Sequence, residues 1–341
     1  MAPRRDTIPD ADFVSAWEQS GCSPAKTARL LGVSERNVYA RRGVMAAKGV
    51  ELPTVKGGMD ATPVGAWTYR KQIFKQIDNG VLIVGSDAHI WPGPDTTALK
   101  ALIEVTADLA KHVKMLGANG DWLDGASTNR HDPFGWSERP TAKEELQCVT
   151  DALHRWRMAA KPARSGIQSI YTVGNHELNF ERKLAVQAKD YKGLPGLRLA
   201  DHFPEWELAW SCKINWRSDT PVMMKHRHAG GIHAGYNNTL KAGTTTVTGH
   251  THSLEVKPWG DYRGRRWGVQ TGCLADPEGP QFEYAENAPS PHCAGFAVLT
   301  FKDGRLLPPE LCEVIEGRAM FRGQVVIDDR AAHMADLDAA A

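Results

Sequence analysis

Six cysteines in 341 residues never fall into a CxxC pair. Their scatter argues against a structural zinc site and a disulfide framework, and favours reduced cytosolic thiols. No uncharged run approaches the length of a membrane span, so no membrane association is expected. The opening MAPRRDTIPDADF is charged and no apolar core follows it. No secretory leader is expected, and the expected location is cytoplasmic. Charge of one sign is also missing: 41 Lys and Arg stand against 40 Asp and Glu, and a net +1 selects no partner. There is no internal repeat, and low complexity is confined to the Ala-rich end. The length suits one large α/β domain and something smaller.

The first fifty residues differ in texture from the rest. Asp10 or Asp12 is a candidate cap for a helix carrying Phe13, Val14 and Trp17, which Gly21 ends. Ser23 suits an N-cap and Pro24 the first helical position of a second helix reaching Leu31. After Gly32, Ser34 caps a third helix that runs through Val38 toward Arg42. Residues 49–68, rich in Gly, Pro and small side chains, read as a linker. Strand-like and helical runs then alternate. KQIF and GVLIVG read as strands around a hairpin turn at Asp78-Asn79-Gly80. Helical periodicity covers Thr96–Val113 and Thr141–Ala160, and Ile167–Val173 reads as a strand. The region 205–275 is strand-rich, and residues 293–301 make a clear strand. The expected divisions are 1–48, the linker 49–68, an α/β sandwich at 69–325, and a flexible tail at 326–341.

Five apolar runs end in potential metal ligands. Val81–Gly85 leads to Asp87 and His89. The run at 114–117 leads to Asp121 and Asp124, and Ile170–Val173 to Asn175, His176 and Glu177. Pro221–Lys225 delivers His226, with His228 two further on, and Thr244–Val247 delivers His250 and His252. Each piece alone has a plain structural reading: a surface Asp-x-His, a turn, a helix cap, a strand histidine. Sites in α/β sheets form where loops leave the carboxyl ends of strands, and five such ends carrying Asp, Asn and His point to a metal centre.

The ordered blocks DxH, GDxxD, GNHE, a strand-end His and GHTH resemble the calcineurin-like metallophosphoesterases over about residues 72–302. The resemblance implies a β-sandwich flanked by helices and a phosphoesterase with two divalent ions. It assigns Asp87, His89 and His252 to one ion, Asn175, His226 and His250 to the second, and Asp121 to both. His228 is the alternative to His226, with His233 behind it. Imidazole and oxygen donors without thiolate suit Mn first, with Fe or Zn open, and such ions lower the pKa of a shared water and clamp a phosphoryl group. His176 would stabilise developing charge or protonate the leaving oxygen, and Asp124 would steer His176 or a metal ligand. The long loop after GDxxD carries Arg130, His131 and Arg139, and Trp136, as substrate contacts or as a plain solvated loop.

SPAKTARLLGVSERNVYARR resembles a helix-turn-helix, with Ala28 at the helix crossing and Gly32 in the turn. That resemblance makes the helix from Ser34 a DNA-reading helix presenting Arg36, Asn37, Tyr39, Arg41 and Arg42, within a DNA-contacting stretch at 23–48. From Lys26 to Lys56 seven basic residues face two acidic ones. The plain alternative is a three-helix interaction module. Such a unit joined to a phosphoesterase resembles phage or prophage proteins. Three functions are weighed: a nuclease-like phosphodiesterase directed by the helix-turn-helix, a phosphoesterase for small nucleotides or phosphoesters, and a DNA-binding protein with an inert second domain. The intact ligand set favours the first two.

Overall fold

Gly80–Gly85 (β2) is apolar throughout, yet its side chains divide by parity. In the computed structural model Val81 and Ile83 pack toward helices, while Leu82 and Val84 pack into a second core. Alternation of Cβ direction gives the strand two buried faces, so both must be apolar. The structure describes residues 8–50, 52, 68–128, 138–161, 166–286, 290–331 and 333.

The chain divides into two compact units, Met1–Ala66 and Trp67–Ala341. In the larger unit β2 lies in a nine-stranded sheet. Its path is β15-β14-β13-β11-β2-β3-β4-β5, with β12 (Arg305–Leu306) paired to β11. The ranges are β3 Val113–Ala118, β4 Gln168–Thr172, β5 Glu207–Ala209, β11 Gly295–Lys302, β13 Glu310–Ile315, β14 Arg318–Phe321 and β15 Gln324–Asp328. Strands β2 to β5 run parallel. A six-stranded sheet orders β1-β6-β7-β8-β10-β9. Its strands are β1 Ile73–Lys75, β6 Cys212–Ile214, β7 Val222–Met224, β8 Thr245–Thr248, β9 Leu254–Asp261 and β10 Gly264–Thr271.

The two sheets face each other across one core. Leu82, Met115, Ile170 and Leu299 meet Ile214, Met224, Val247 and Val269 there. Helices α4 (Thr97–Asp108) and α5 (Ala142–Ala159) cover the other face of the larger sheet. Thr96 caps α4, and Thr141 with Glu144 forms a capping box on α5. Helix α6 (Asn175–Gln187) follows β4 directly, α7 spans Leu199–His202, and α8 (Ala234–Ala242) packs on β10. This is a mixed α/β unit in which the helix expected at 141–160 and the strand at 167–173 are present, while the helix expected at 96–113 ends at Asp108 and Val113 instead opens β3.

Two expectations need correction. The hairpin at Asp78-Asn79-Gly80 does not form: β1 pairs in parallel with β6 and belongs to the other sheet from β2. The buried Asn215 side chain takes the Ile77 N–H at 2.8 Å and donates to the Ile77 carbonyl at 2.7 Å, steering the chain between sheets instead of back on itself. At the other end, β15 crosses the expected 325/326 boundary. It is an ordered edge strand, and Asp329 just beyond it accepts from Lys100 at 2.8 Å. The expected linker at 49–68 falls almost wholly outside the described residues.

The smaller unit holds α1 (Asp10–Gln19), α2 (Pro24–Leu31) and α3 (Glu35–Ala47) around Phe13, Trp17, Ala28, Val38 and Met45. Ser23 and Ser34 cap α2 and α3 through the Lys26 and Asn37 N–H groups, and Gly32 ends α2 at φ +64°. Neither Asp10 nor Asp12 caps α1; Pro9 occupies that position. The Asp10 carboxylate instead takes Arg41 and Lys48, which removes it from capping. Helix α3 continues five residues past Arg42, because Met45 adds a buried side chain to the core.

Candidate metal centre

The carboxyl ends of β2, β3, β4, β7 and β8 converge. Asp87, His89 and His252 bring one ligand atom each into a common group, and Asp121, His226 and His250 form a second. His89, Asp124 and His176 form a third, overlapping group. All six residues of the first two groups were expected as ligands. Asp121 falls only in the second group, while its carbonyl accepts the His89 N–H at 3.1 Å. Asn175 opens α6 beside them and lines the same cleft of about 230 Å³. His228 and His233 are exposed and belong to none of the groups, so His226 is the histidine at this position.

The backbone is bent to make this possible. Among the described residues twelve non-glycine positions have positive φ, and Asp87, His89, Asp121, His250 and His252 are five of them. Left-handed conformations at such residues are sparsely populated and persist only where the surroundings enforce them. Two motif glycines clear the space. A Cβ on Gly174 would strike Asp121 Oδ1, and one on Gly249 would strike Asp87 Oδ2.

Donor geometry tests whether these residues suit a metal. His89 Nε2 lies 3.3 Å from His252 Nε2, which lies 3.2 Å from Asp87 Oδ1. His226 Nε2 lies 3.0 Å from Asp121 Oδ2. Donors bound at about 2.1 Å to one ion stand about 3.0–3.4 Å apart, depending on coordination geometry. The buried Asn175 Oδ1 has no hydrogen-bond partner, which is costly unless something else satisfies it. His226 Nδ1 donates to the Asn119 carbonyl at 2.8 Å and His89 Nδ1 to Asp124 Oδ1 at 3.0 Å, leaving each Nε2 to face the centre. The donor set fits a metal ion.

Electrostatics agree with the geometry. Burial pushes the Asp121 and Asp87 carboxyls up, but the surrounding histidines, His226 foremost, more than reverse this. Asp121 ends well below the usual carboxylate range. Burial opposes protonation of His226, yet Asp121 and Asp87 carry its pKa to about 10. Burial likewise lowers His89 and His250. Burial works against the His176 cation too, but Asp121 and Asp124 outweigh it and raise the pKa.

Asp124 touches both His176 and the expected ligand His89. It accepts from His89 and from Trp91 Nε1 at 2.8 Å, and its carbonyl takes His176 Nδ1–H at 2.6 Å. Glu177 closes its motif, and the resemblance gives it no role. It is fully buried and accepts from the Asp121, Trp122, Leu123 and Gly174 N–H groups and from Tyr171 Oη. One carboxylate therefore ties the loop after β3 to the start of α6. Glu145 acts similarly through the Ala126 N–H at 3.0 Å, and burial lifts its pKa to about 8. The sequence signal for Glu177 is its place inside a ligand block, whereas Glu145 lies far from any such block in sequence.

Arg139 lines the cleft, with Nη1 3.5 Å from the Ala126 carbonyl. Arg130 and His131 lie outside the described residues. In the smaller unit Arg36, Asn37 and Tyr39 are exposed on α3. Arg41 and Arg42 are not presented as expected. Arg41 pairs with Asp10 and donates to the Ile8 carbonyl at 2.7 Å, and Arg42 lies over the Trp17 ring at 4.6 Å. Each guanidinium is held by a partner on its own unit. No described helix is long and apolar enough to cross a membrane, and all six cysteines are free.

Fold and site together define a mixed α/β protein whose buried Asp and His groups can hold a metal ion. No family model matches the chain. It is 32% identical over 277 residues to the Gene 54 protein of Mycobacterium phage L5, covering 72% of this chain and 97% of the relative. It is 33% identical over 274 residues to the Gene 54 protein of Mycobacterium phage D29, with the same coverage of both. The chain belongs to the family of these Gene 54 proteins.

Proposed function

We propose that the chain is a dinuclear-metal-dependent phosphoesterase of the calcineurin-like kind, hydrolysing phosphodiester bonds in nucleic acid. The observation that carries this reading is the pair of Asp/His groups at four strand ends, with donor atoms 3.0–3.3 Å apart. Two facing sheets covered by helices support the metallophosphoesterase sandwich. Asp87, His89 and His252 would hold one ion, Asn175, His226 and His250 the other, with Asp121 shared. When bound, the ions, Mn before Fe or Zn, supply Lewis acidity toward a phosphoryl oxygen and a water of lowered pKa.

The chain's own residues supply the rest. The Asp124 carbonyl fixes the His176 ring, and its Nε2, 4.0 Å from Asp121 Oδ2, is the nitrogen left free for a substrate. Two carboxylates favour the imidazolium, so His176 can give a proton to the departing oxygen. Phe282 packs on His89 and His252, screening one side of the centre from water.

The three-helix unit is read as a helix-turn-helix that raises the local concentration of DNA through covalent linkage. Its exposed Arg36, Asn37 and Tyr39 are the side chains offered to DNA. The phage origin of both relatives suits a phage protein acting in the cytoplasm. The test compares bis-p-nitrophenyl phosphate with labelled DNA, with Mn²⁺ and after chelation. Hydrolysis of both is expected, lost on chelation and restored by Mn²⁺. Arg36→Ala with Tyr39→Ala is expected to lower DNA turnover relative to the small ester and to flatten its salt dependence. Hydrolysis of the small ester but not of DNA would replace nucleic acid by small phosphoesters as the substrate class. Hydrolysis of neither would leave a DNA-binding protein with an inert second unit.

A further inference from the structure

Segments of opposite charge adjoin the two ligand groups. Beyond His226 the chain reads Arg227-His228 and loops to α8, whose Asn238 pins that loop by accepting the Ala229 N–H at 2.7 Å. Arg227 and Lys241 are exposed and Lys225 is half-buried. The Lys225 N–H donates to the Val247 carbonyl at 3.1 Å and the His226 carbonyl accepts the Gly249 N–H at 2.9 Å, so Lys225 and Arg227 sit beside the loop that carries His250, and Lys241 follows Asn238 on α8. These cations therefore form one lip beside the Asp121–His226–His250 group.

The opposite lip is Asp276–Glu286, DPEGPQFEYAE, with four carboxylates and no base. Gln281 anchors it by donating to the His89 carbonyl at 3.1 Å, and Phe282 packs against His89 and His252. It thus borders the Asp87–His89–His252 group. Asp276, Glu278, Glu283 and Glu286 are exposed, as is Tyr284 beside the cleft. Among the described residues no ion pair neutralises either set.

A ligand with one phosphate gains little from such a division. A polyanion responds strongly, because each neighbouring phosphate is attracted on one side and repelled on the other. We propose that a polynucleotide leaves the centre over the Lys225–Arg227–Lys241 lip, whose cations take the phosphates next to the scissile one. The Asp276–Glu286 lip keeps the strand from continuing on the other side and leaves room there for a nucleoside against Tyr284. This assignment rests on the phosphoesterase reading and gives its substrate a direction.

The test uses the full chain with Arg227→Glu and Lys241→Glu together. With Mn²⁺, the ratio of kcat/KM for a single-stranded 20-mer to that for bis-p-nitrophenyl phosphate is expected to fall at least tenfold. Binding of the labelled 20-mer, followed by fluorescence anisotropy in EDTA, is expected to lose salt dependence. Two lost phosphate contacts flatten the log–log slope by about 1.4, at about 0.7 per contact on a single strand. Glu278→Lys with Glu283→Lys is expected to tighten binding by opening the second side. An unchanged ratio and slope, with wild-type hydrolysis of the small ester intact, overturns the lip assignment alone. A wild-type chain that never hydrolyses the small ester with Mn²⁺ overturns the phosphoesterase reading and the strand path with it.

Discussion

Replacing Asp121 by Asn is expected to abolish metal-dependent phosphoester hydrolysis while leaving the fold in place. Asn matches the size of the carboxylate and still offers an oxygen to the His176 N–H, which Asp121 Oδ1 now accepts at 2.9 Å. What it removes is charge. Asp121 Oδ2 stands 3.0 Å from His226 Nε2, and the same carboxylate helps to hold His176 cationic. One substitution thereby weakens ion binding and the protonation of the acid. Losing a residue that merely supports a ligand costs about 10–100-fold. A residue assigned to both ions should exceed the upper end of that range. Turnover of bis-p-nitrophenyl phosphate with Mn²⁺, alongside an unchanged far-ultraviolet circular dichroism spectrum, checks it. Near-normal turnover would remove Asp121 from the centre.

Glu177→Gln is expected to damage stability more than any other isosteric change near the site. Oε1 accepts from the Trp122 and Leu123 N–H groups and Tyr171 Oη, while Oε2 accepts from the Asp121 and Gly174 N–H groups. A glutamine turns an NH₂ toward one of these sets. At least two buried donors then face another donor, and each unsatisfied donor costs about 1–3 kcal/mol. A loss of about 3 kcal/mol is expected in urea unfolding of the full chain. Because the affected N–H groups include Asp121 and Gly174, Mn²⁺ affinity should fall as well. A stability change under about 1 kcal/mol would mean that the loop after β3 holds its shape without this carboxylate.

The ligand blocks were legible because each is local. A strand of branched apolar residues followed at once by Gly, Asp, Asn or His is visible within ten residues, as at Val81–His89 and Thr244–His252. Helix caps such as Ser23, Ser34 and Thr141 were legible for the same reason. What was hidden depends on residues far apart in sequence. The turn at Asp78-Asn79-Gly80 has suitable residues for a hairpin, but Asn215, 138 positions from Ile77, decides the path. Arg41 and Arg42 looked free within their own segment. Asp10 and Trp17, on another helix, claim both of them. The choice between His226 and His228 rests on the strand β7 ending at Met224 and on the Asn119 carbonyl that receives His226. The role of Glu177 needed the loop after β3 to be folded over it.

The proposed centre is one that takes up two divalent ions. Equilibrium dialysis of the metal-stripped full chain against Mn²⁺ near pH 7.5 tests it most directly. His226 is protonated in the metal-free protein, since its pKa is raised to about 10, so binding must expel that proton and occupancy should fall as the pH is lowered. Two ions per wild-type chain at saturation and weakened uptake in Asp121→Asn are expected. Fewer than one ion per wild-type chain at millimolar Mn²⁺ would contradict the proposal.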